Sequence, residues 1–359
     1  MRSDRQPIRG RGAAENPPNR FERTYRERDP DEPLDDEEPA PSTTFLKDTA
    51  RTALATNNSP DIPFDASLNP YRGCEHGCIY CYARPTHEFL GFSAGLDFET
   101  KILVKEEAPE LLRRELASPR WEPKPIALSG VTDPYQPVER RLRLTRRCLE
   151  VLAEFRNPVV LITKNRLITR DADLLGELAR HRAAVVFLSL TTLDVALARR
   201  MEPRTSPPKL RLAAIATLAG AGVPVGVLVA PVIPGLTDHE LPGIIAAAAR
   251  AGASFAGYQP VRLPGAVADL FERWLERHHP ERKEKVLNRI RALRGGRLND
   301  PDFGSRMQGR GTFADLLATL FAAACQRAGL AGRGPSLSTA AFRRPPAEDG
   351  PERQLRLFD

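Results

Sequence analysis

Residues 69–82 read NPYRGCEHGCIYCY and contain three of the chain's five cysteines, Cys74, Cys78 and Cys81. The spacing is C-x3-C-x2-C, so one short loop carries three thiols. Thiolates are the ligands that select zinc or iron–sulfur clusters. A four-iron cluster held by three thiolates fits this set better than zinc does, because it leaves one iron open for a molecule that must react.

Three other interpretations of these cysteines fit less well. A structural zinc site has four protein ligands, and the fourth would have to be His76 or His87, although His76 sits between two of the cysteines. Three clustered cysteines cannot all pair in disulfides, and no secretory leader is visible. An electron-transfer ferredoxin would show a C-x2-C-x2-C run followed by C-P.

The motif C-x3-C-x-aromatic-C, with Tyr80 before the last cysteine, resembles the signature of the radical S-adenosylmethionine (AdoMet) superfamily. The flanking sequences NPYRGC, CYAR and TDPYQP, the last at 132–137, resemble more narrowly the branch related to spore photoproduct lyase. That branch is often described as photolyase-like DNA repair proteins. The resemblance covers residues 60 to 330 or so.

The resemblance implies a division of chemical labour. Cys74, Cys78 and Cys81 would hold a [4Fe-4S] cluster, and the amine and carboxylate of AdoMet would chelate the free iron. An electron donor such as a flavodoxin or ferredoxin would reduce the cluster, which releases a 5′-deoxyadenosyl radical that abstracts a hydrogen atom from the substrate. The protein would position the reactants and exclude water.

The resemblance also implies contacts to AdoMet. Tyr80 would present its backbone to the adenine, and a segment containing Gly130, Thr132 and Asp133 would meet the amino group. Ser189 would face the ribose or the carboxylate. The family's usual Gly-Gly-Glu is replaced here by GVTD, so Asp133 is assigned as the amine acceptor by position. The alternative is that Thr132 and Asp133 simply belong to a capped turn. No catalytic residue is identified.

Short β-branched runs alternate with helical patterns along most of the chain. The predicted strands are 67–71, 126–129, 159–163, 185–190, 225–229 and 254–258, and the helices between them are 109–117, 142–156, 172–182, 208–219 and 240–250. This alternation predicts parallel strands with right-handed crossovers. Six repeats rather than eight predict an α/β fold with an open, partial (β/α)6 barrel, which is also the superfamily fold.

Polar residues follow the predicted strands at their carboxyl ends, and these ends form the functional mouth of barrel-like α/β folds. Asp133, Lys164 and Ser189 follow three successive strands in this way. We therefore expect the site at this edge of the sheet. Lys164, with Arg200 and Arg204, is a secondary candidate for facing a phosphate or carboxylate.

Three segments are predicted from composition. Residues 1–45 are arginine-rich and then acidic, so we expect a disordered tail. Residues 46–331 form the core domain with a C-terminal helical extension. Residues 332–359 are predicted to be a disordered tail ending in QLRLFD, which resembles the peptide that bacterial replication and repair proteins use to dock on the sliding clamp. Such short motifs also arise by chance.

Residues 212–237 contain no charged side chain, but repeated Gly and Pro favour a helix, a turn and a buried strand over a membrane span. The cysteine usage indicates a reducing cytoplasm. Cys148 and Cys325 are expected to be small buried hydrophobes. Spore photoproduct lyase itself uses a further cysteine as hydrogen donor soon after the cluster, and Cys148 lies too far along the chain to match it.

These features predict a cytoplasmic radical AdoMet enzyme that acts on nucleic acid, with damaged DNA as the favoured substrate. The net charge of +7 is compatible with a polyanionic partner. Two alternatives remain open: a radical enzyme that modifies a peptide, an RNA or a metabolite, and a metal-binding protein without catalysis.

Overall fold

The computed structural model describes residues 7–22 and 41–346. The strands in these residues are β1 (Thr44–Lys47), β2 (Leu54–Thr56), β3 (Ala66–Leu68), β4 (Tyr71–Arg72), β5 (Lys101–Val104), β6 (Ile126–Leu128), β7 (Val159–Thr163), β8 (Ala184–Ser189), β9 (Val225–Val232) and β10 (Phe255–Pro260). The α-helices are α1 (Leu96–Thr100), α2 (Ala108–Ala117), α3 (Glu139–Leu142), α4 (Leu144–Phe155), α5 (Ala172–Arg180), α6 (Val195–Met201), α7 (Pro208–Gly220), α8 (Leu241–Arg250), α9 (Val267–His278), α10 (Lys283–Leu293), α11 (Ser305–Gln308) and α12 (Thr312–Ala328).

The main sheet has seven strands in the order β10-β9-β8-β7-β6-β3-β2. The six strands from β3 to β10 in this sheet are parallel, and β2 pairs with β3 antiparallel at the edge. Helices connect the successive parallel strands, as right-handed crossovers require. The predicted open (β/α)6 barrel is therefore confirmed, and each of the six predicted strands coincides with an observed one to within a few residues.

The core lies between the sheet and its helices. Leu128, Leu161, Leu188 and Val227, on four neighbouring strands, are fully buried in one hydrophobic cluster. Burial of one such side chain contributes about 1.5–3 kcal/mol. The uncharged window at 212–237 contains α7 and β9, as expected. In the described part of the chain, no helix is both long and apolar enough to cross a bilayer.

A second sheet, in the order β1-β5-β4, was not predicted. Its strand β4 immediately precedes the cysteine loop, defined here as residues 73–82, and pairs with β5 in antiparallel fashion. The predicted strand at 67–71 is split because Pro70 has no N–H for a ladder. The Pro70 carbonyl instead accepts a hydrogen bond from the Lys105 N–H, 2.9 Å away. The split leaves β3 in the barrel and sends β4 to the small sheet.

Residues 7–22, here called the N-terminal strap, were expected to be disordered but pack against the core. The buried Glu99 carboxylate accepts hydrogen bonds from the N–H groups of Gly12 (3.0 Å) and Ala13 (2.8 Å). Gly12 lies so close to the cysteine loop that an added Cβ would be 1.8 Å from the Gly77 carbonyl oxygen. Composition did not predict this packing of the strap because backbone groups and small residues, rather than large apolar side chains, make these contacts.

Residues 332–346 also depart from the expected disorder. The Ser338 N–H donates to the Arg182 carbonyl and the Arg343 N–H to that of Phe155, each over 2.9 Å. The Phe342 ring packs against the Phe155 ring, 6.3 Å between centroids. This segment crosses the amino ends of β7 and β8, opposite the predicted site. The remainder of the two predicted tails, including the proposed clamp peptide from Gln354 to Phe358, lies outside the described residues.

Candidate active site

The cysteine loop is a tightly fixed turn. Cys74 and Cys78 are each 7% exposed, and Cys81 is partly exposed. Gly73 has a φ of 82°, and an added Cβ there would lie 2.9 Å from His87 Cε1 and 3.0 Å from the Phe98 carbonyl oxygen. Only glycine fits such a left-handed, crowded position. The loop thus presents its three thiols from one rigid element.

The three thiols fit a metal cluster. Burial raises the pKa of Cys78, and burial together with the nearby Cys74 raises the pKa of Cys81 to about 11. These thiols therefore become thiolates when a metal displaces their protons. In the described ranges, no three His, Cys, Asp or Glu side chains are arranged to hold a single metal ion. In a [4Fe-4S] cluster each thiolate would bind a different iron.

A fully buried ion pair braces the loop. Arg84 Nη2 lies 2.5 Å from Glu99 Oε1, and neither side chain is exposed. Arg84 also donates to the carbonyl oxygens of Cys78 (3.0 Å) and Gly95 (2.9 Å). Glu99 also accepts hydrogen bonds from N–H groups of the N-terminal strap. One carboxylate therefore connects the strap, Arg84 and the cysteine loop.

His76 lies inside the loop, and both of its ring nitrogens face polar groups. Its Nδ1 is 3.3 Å from Asp133 Oδ2, and its Nε2 is 3.3 Å from the Asn165 amide nitrogen. Burial alone would lower the pKa of His76, but Asp133 and Cys74 raise it to about 10. His76 thus links the cysteine loop to Asp133 and to Asn165 after β7.

The contacts of Asp133 lie within the chain, and its role as acceptor for the AdoMet amine remains a prediction. Oδ1 accepts hydrogen bonds from Thr163 Oγ1 (2.7 Å) and the Tyr135 N–H (2.9 Å). Oδ2 accepts from the Lys164 N–H (2.8 Å) and faces His76. A carboxylate has about four acceptor positions, and the chain uses all of them. Asp133 is therefore a positioning residue for His76 and the end of β7.

A buried polar network joins the ends of β7, β8 and β9. Lys164 Nζ donates to Ser189 Oγ (2.7 Å) and to the Ala230 carbonyl (2.8 Å), and it lies 3.4 Å from Glu202 Oε1. The same ammonium is 5.7 Å from the centroid of the Tyr80 ring. Lys164, a secondary candidate in the sequence analysis, thus places its positive charge at the centre of the barrel mouth.

Glu202 holds the inner side of this network. Its carboxylate pairs with the buried Arg211 and accepts hydrogen bonds from Tyr80 and Thr191. Burial alone would raise the pKa of Glu202, but Arg211 and Lys164 lower it, so the group is ionised. Glu202 was missed in the sequence because it follows a short helix, α6, with no motif to mark it.

The other predicted AdoMet contacts also border the cysteine loop. The Gly130 carbonyl accepts a hydrogen bond from the Tyr82 hydroxyl (2.7 Å), and Thr132 Oγ1 donates to the Gly73 carbonyl (2.6 Å). Gly130 has a φ of 129°, which bends the chain sharply after β6. The structure places Tyr80, Gly130, Thr132 and Ser189 around the cysteines. Their contacts to AdoMet remain predictions.

Arg262 was also missed, and it lies two residues beyond the end of β10. Its guanidinium carbon is 4.9 Å from the centroid of the Tyr82 ring, beside Cys81. Its buried Nε has no hydrogen-bond partner, and among the described residues it forms no ion pair. The sequence feature that could have identified Arg262 was its position after the sixth strand. Tyr258, the last residue of the predicted strand 254–258, packs against Phe321 of α12 (4.7 Å between centroids).

The two remaining cysteines lie away from this site. Cys148 of α4 is fully buried and Cys325 of α12 is 5% exposed, both within the main hydrophobic cluster. Burial raises the pKa of each thiol. Both are buried hydrophobic side chains, as expected.

Comparison with protein families identifies the fold with one superfamily. The family model described as "Radical SAM superfamily" matches residues 68–248, which include the cysteine loop and the strands up to β9. An uncharacterised protein of Mycobacterium tuberculosis is 38% identical over 274 residues, covering 74% of this chain and 78% of the relative. One from Methanocaldococcus jannaschii is 27% identical over 222 residues, covering 62% and 79%.

Among solved structures, spore photoproduct lyase complexed with dinucleoside spore photoproduct superposes with a TM-score of 0.57 at 18% identity, covering 80% of this chain and 81% of the other. A mutant of that lyase with bound AdoMet and the dinucleoside gives a TM-score of 0.55 at 17% identity, with the same coverage. At these identities the likeness shows a shared fold.

Proposed function

This chain belongs to the radical S-adenosylmethionine superfamily and is an enzyme that uses a [4Fe-4S] cluster and AdoMet, and we propose that its substrate is a nucleic acid. Damaged DNA is the specific candidate, with a lyase-like repair reaction. The single observation that carries the proposal is the Arg262–Tyr82 pair, which borders the cysteine loop at the mouth of the barrel.

The cluster and the protein have separate tasks. When bound, the reduced cluster supplies the electron that splits AdoMet and yields a 5′-deoxyadenosyl radical. Cys74, Cys78 and Cys81 would hold it. Lys164 and its partners at the ends of β7 to β9 form a buried network that keeps the inner wall of the site rigid. The burial of these groups excludes water from the reacting centre.

The chemistry of Arg262 favours an anionic, planar substrate. A guanidinium binds phosphate oxygens through fixed, forked donors, and the Arg262 guanidinium lies over the Tyr82 ring. Tyr82 is half exposed below it and offers a ring on which a base can stack. A cation and an aromatic face together match a nucleotide.

Three further parts of the proposal concern the protein's electron donor, its docking partner and its role in the cell. Reduction by a flavodoxin or ferredoxin, docking of residues 354–358 on a sliding clamp, and a cytoplasmic role in DNA repair all remain predictions from the sequence.

The test is AdoMet cleavage by the anaerobically reconstituted holoenzyme with dithionite. We expect ultraviolet-irradiated DNA to increase the release of 5′-deoxyadenosine above the level seen without DNA. Arg262→Gln should raise the DNA concentration needed for half of this stimulation by about 10- to 100-fold, the size of a lost charge-assisted hydrogen bond. The matched control is Arg327→Gln, an exposed arginine at the end of α12.

The controls separate the two parts of the assignment. If neither irradiated nor intact nucleic acid changes the release of 5′-deoxyadenosine, the nucleic-acid substrate is wrong while the enzyme class stands. If Arg262→Gln and Arg327→Gln need the same DNA concentration for half of the stimulation, the Arg262–Tyr82 pair does not bind the substrate.

A further inference from the structure

The strongly exposed aromatic rings of this protein follow one pattern. In the described part of the chain they are Phe21, Tyr82, Phe89 and Phe303, with exposed fractions of 55%, 47%, 70% and 61%. An arginine guanidinium lies over every one of these rings, within 5.3 Å of the ring centroid. Singly exposed apolar side chains are normal, so the feature to explain is the arginine partner that all four rings share.

The first group joins the N-terminal strap to the cysteine loop. The rings of Phe21 and Phe89 are 4.8 Å apart between centroids, and the Arg20 guanidinium lies 4.7 Å and 5.3 Å from them. Glu88 holds Arg20 at 3.3 Å. Phe89 belongs to the short 3-10 helix Arg84–Leu90, which directly follows the cysteine loop. This group is therefore fixed relative to the cysteines.

The second group consists of Phe303, just before α11, and Arg306 within α11. The Arg306 guanidinium is 4.4 Å from the centroid of the Phe303 ring. Asp61 holds it through an ion pair of 2.5 Å, and Ser59 Oγ accepts a further hydrogen bond. The guanidinium is thus locked over the ring before any ligand arrives.

The loop after β10 connects the two groups. An added Cβ on Gly265 would lie 3.8 Å from Arg20 Nη1, so the first group touches this loop. Arg262, three residues before Gly265, lies over the Tyr82 ring. Burial and the nearby positive charge of Arg306 lower the pKa of Arg262. The three arginine–aromatic groups, called the aromatic–arginine strip below, are therefore linked through the loop after β10.

The pattern differs from a packing contact. Rings that only anchored the strap would gain more by being buried, since burial of a Phe side chain contributes about 1.5–3 kcal/mol. These rings stay open on one side, and carboxylates hold the arginines of the two outer groups in place. Aromatic faces interleaved with arginine are the recognition chemistry of unpaired nucleotides, whose bases stack on rings while arginine adds cation–π and phosphate contacts. Bases within a duplex offer no free face.

We propose that the aromatic–arginine strip binds an unpaired stretch of nucleic acid that passes across the mouth of the barrel. Bases on one side of the reacting nucleotide stack on Phe89 and Phe21, and bases on the other side stack on Phe303. This rests on the proposed function and extends it, because it assigns a binding path outside the reacting centre and a strand state to the substrate.

The experiment measures binding of a fluorescein-labelled oligothymidylate to the reconstituted holoenzyme by fluorescence anisotropy, at one fixed salt concentration because such binding depends on salt. Phe89→Ala and Phe303→Ala should each weaken binding by about 5- to 150-fold, the range for loss of one stacked base. Phe89→Trp should retain wild-type affinity, since it keeps a stacking face. Leu316→Ala, which changes an apolar side chain 58% exposed outside the strip, should bind as wild type does.

The outcomes are distinguishable. If the wild-type holoenzyme binds no oligonucleotide, single- or double-stranded, both the strip and the nucleic-acid substrate are wrong. If it binds but both alanine variants match Leu316→Ala, the strip alone is wrong. If a duplex of the same length binds as tightly as the single strand, the assignment to unpaired nucleotides fails. Iron content and far-ultraviolet circular dichroism, measured on every variant, exclude loss of fold as the cause of weaker binding.

Discussion

Replacing Cys78 with alanine is expected to abolish the iron–sulfur cluster. The loop offers three thiols, and a cluster held by two of them loses its attachment, because neither Cys148 nor Cys325 lies near enough to substitute. Iron in the anaerobically reconstituted protein should fall from about four atoms per chain to nearly none, together with acid-labile sulfide and the brown colour. Cys74→Ala and Cys81→Ala should have the same effect.

The matched control for this prediction is Cys325→Ala. It makes the same chemical change at a buried thiol of α12 and should leave the iron content unchanged. A Cys78→Ala protein that retains its full iron and sulfide would contradict the assignment of the ligands.

Replacing Arg84 with methionine is expected to destabilise the whole cysteine loop. The change leaves the fully buried Glu99 without its counter-charge and removes the donors to the Cys78 and Gly95 carbonyls. Loss of one partner from a buried ion pair costs about 3–5 kcal/mol. Urea denaturation of the reconstituted protein under argon should show a loss of this size in the free energy of unfolding.

Arg147→Met is the control for the buried pair. Arg147 also forms an ion pair, 2.6 Å from Glu110, but both side chains are largely exposed. Exposed pairs contribute about 1 kcal/mol or less. Equal losses of stability in the two variants would mean that the Arg84–Glu99 pair does not brace the loop.

The barrel was largely predictable because its signals are local. Parallel strands covered on both faces are continuous apolar runs, and those at 159–163 and 225–229 match β7 and β9 closely. The small sheet was not predictable in this way, since β4 has two residues and its pairing with β5 is a long-range contact. The N-terminal strap was missed for a related reason: its binding depends on N–H groups and on Gly12, which composition does not reveal.

The same difference between local signals and long-range contacts decides which residues of the candidate site were predictable. The cysteines were found because all three ligands lie within one short motif. The four contacts of Asp133 were not predictable, because position after a strand does not show where a carboxylate's hydrogen bonds go. Glu202 and Arg262 were missed because each contacts a tyrosine of the cysteine loop that is far away in the sequence.

The central claim is that the trio of cysteines leaves one iron open to AdoMet. It is tested most directly by adding dithionite and AdoMet to the anaerobically reconstituted wild-type protein and measuring 5′-deoxyadenosine by liquid chromatography with mass spectrometry. We predict release of 5′-deoxyadenosine that depends on dithionite and is absent from the Cys78→Ala protein. A protein carrying its full complement of iron and sulfide that cleaves no AdoMet under these conditions would contradict the claim.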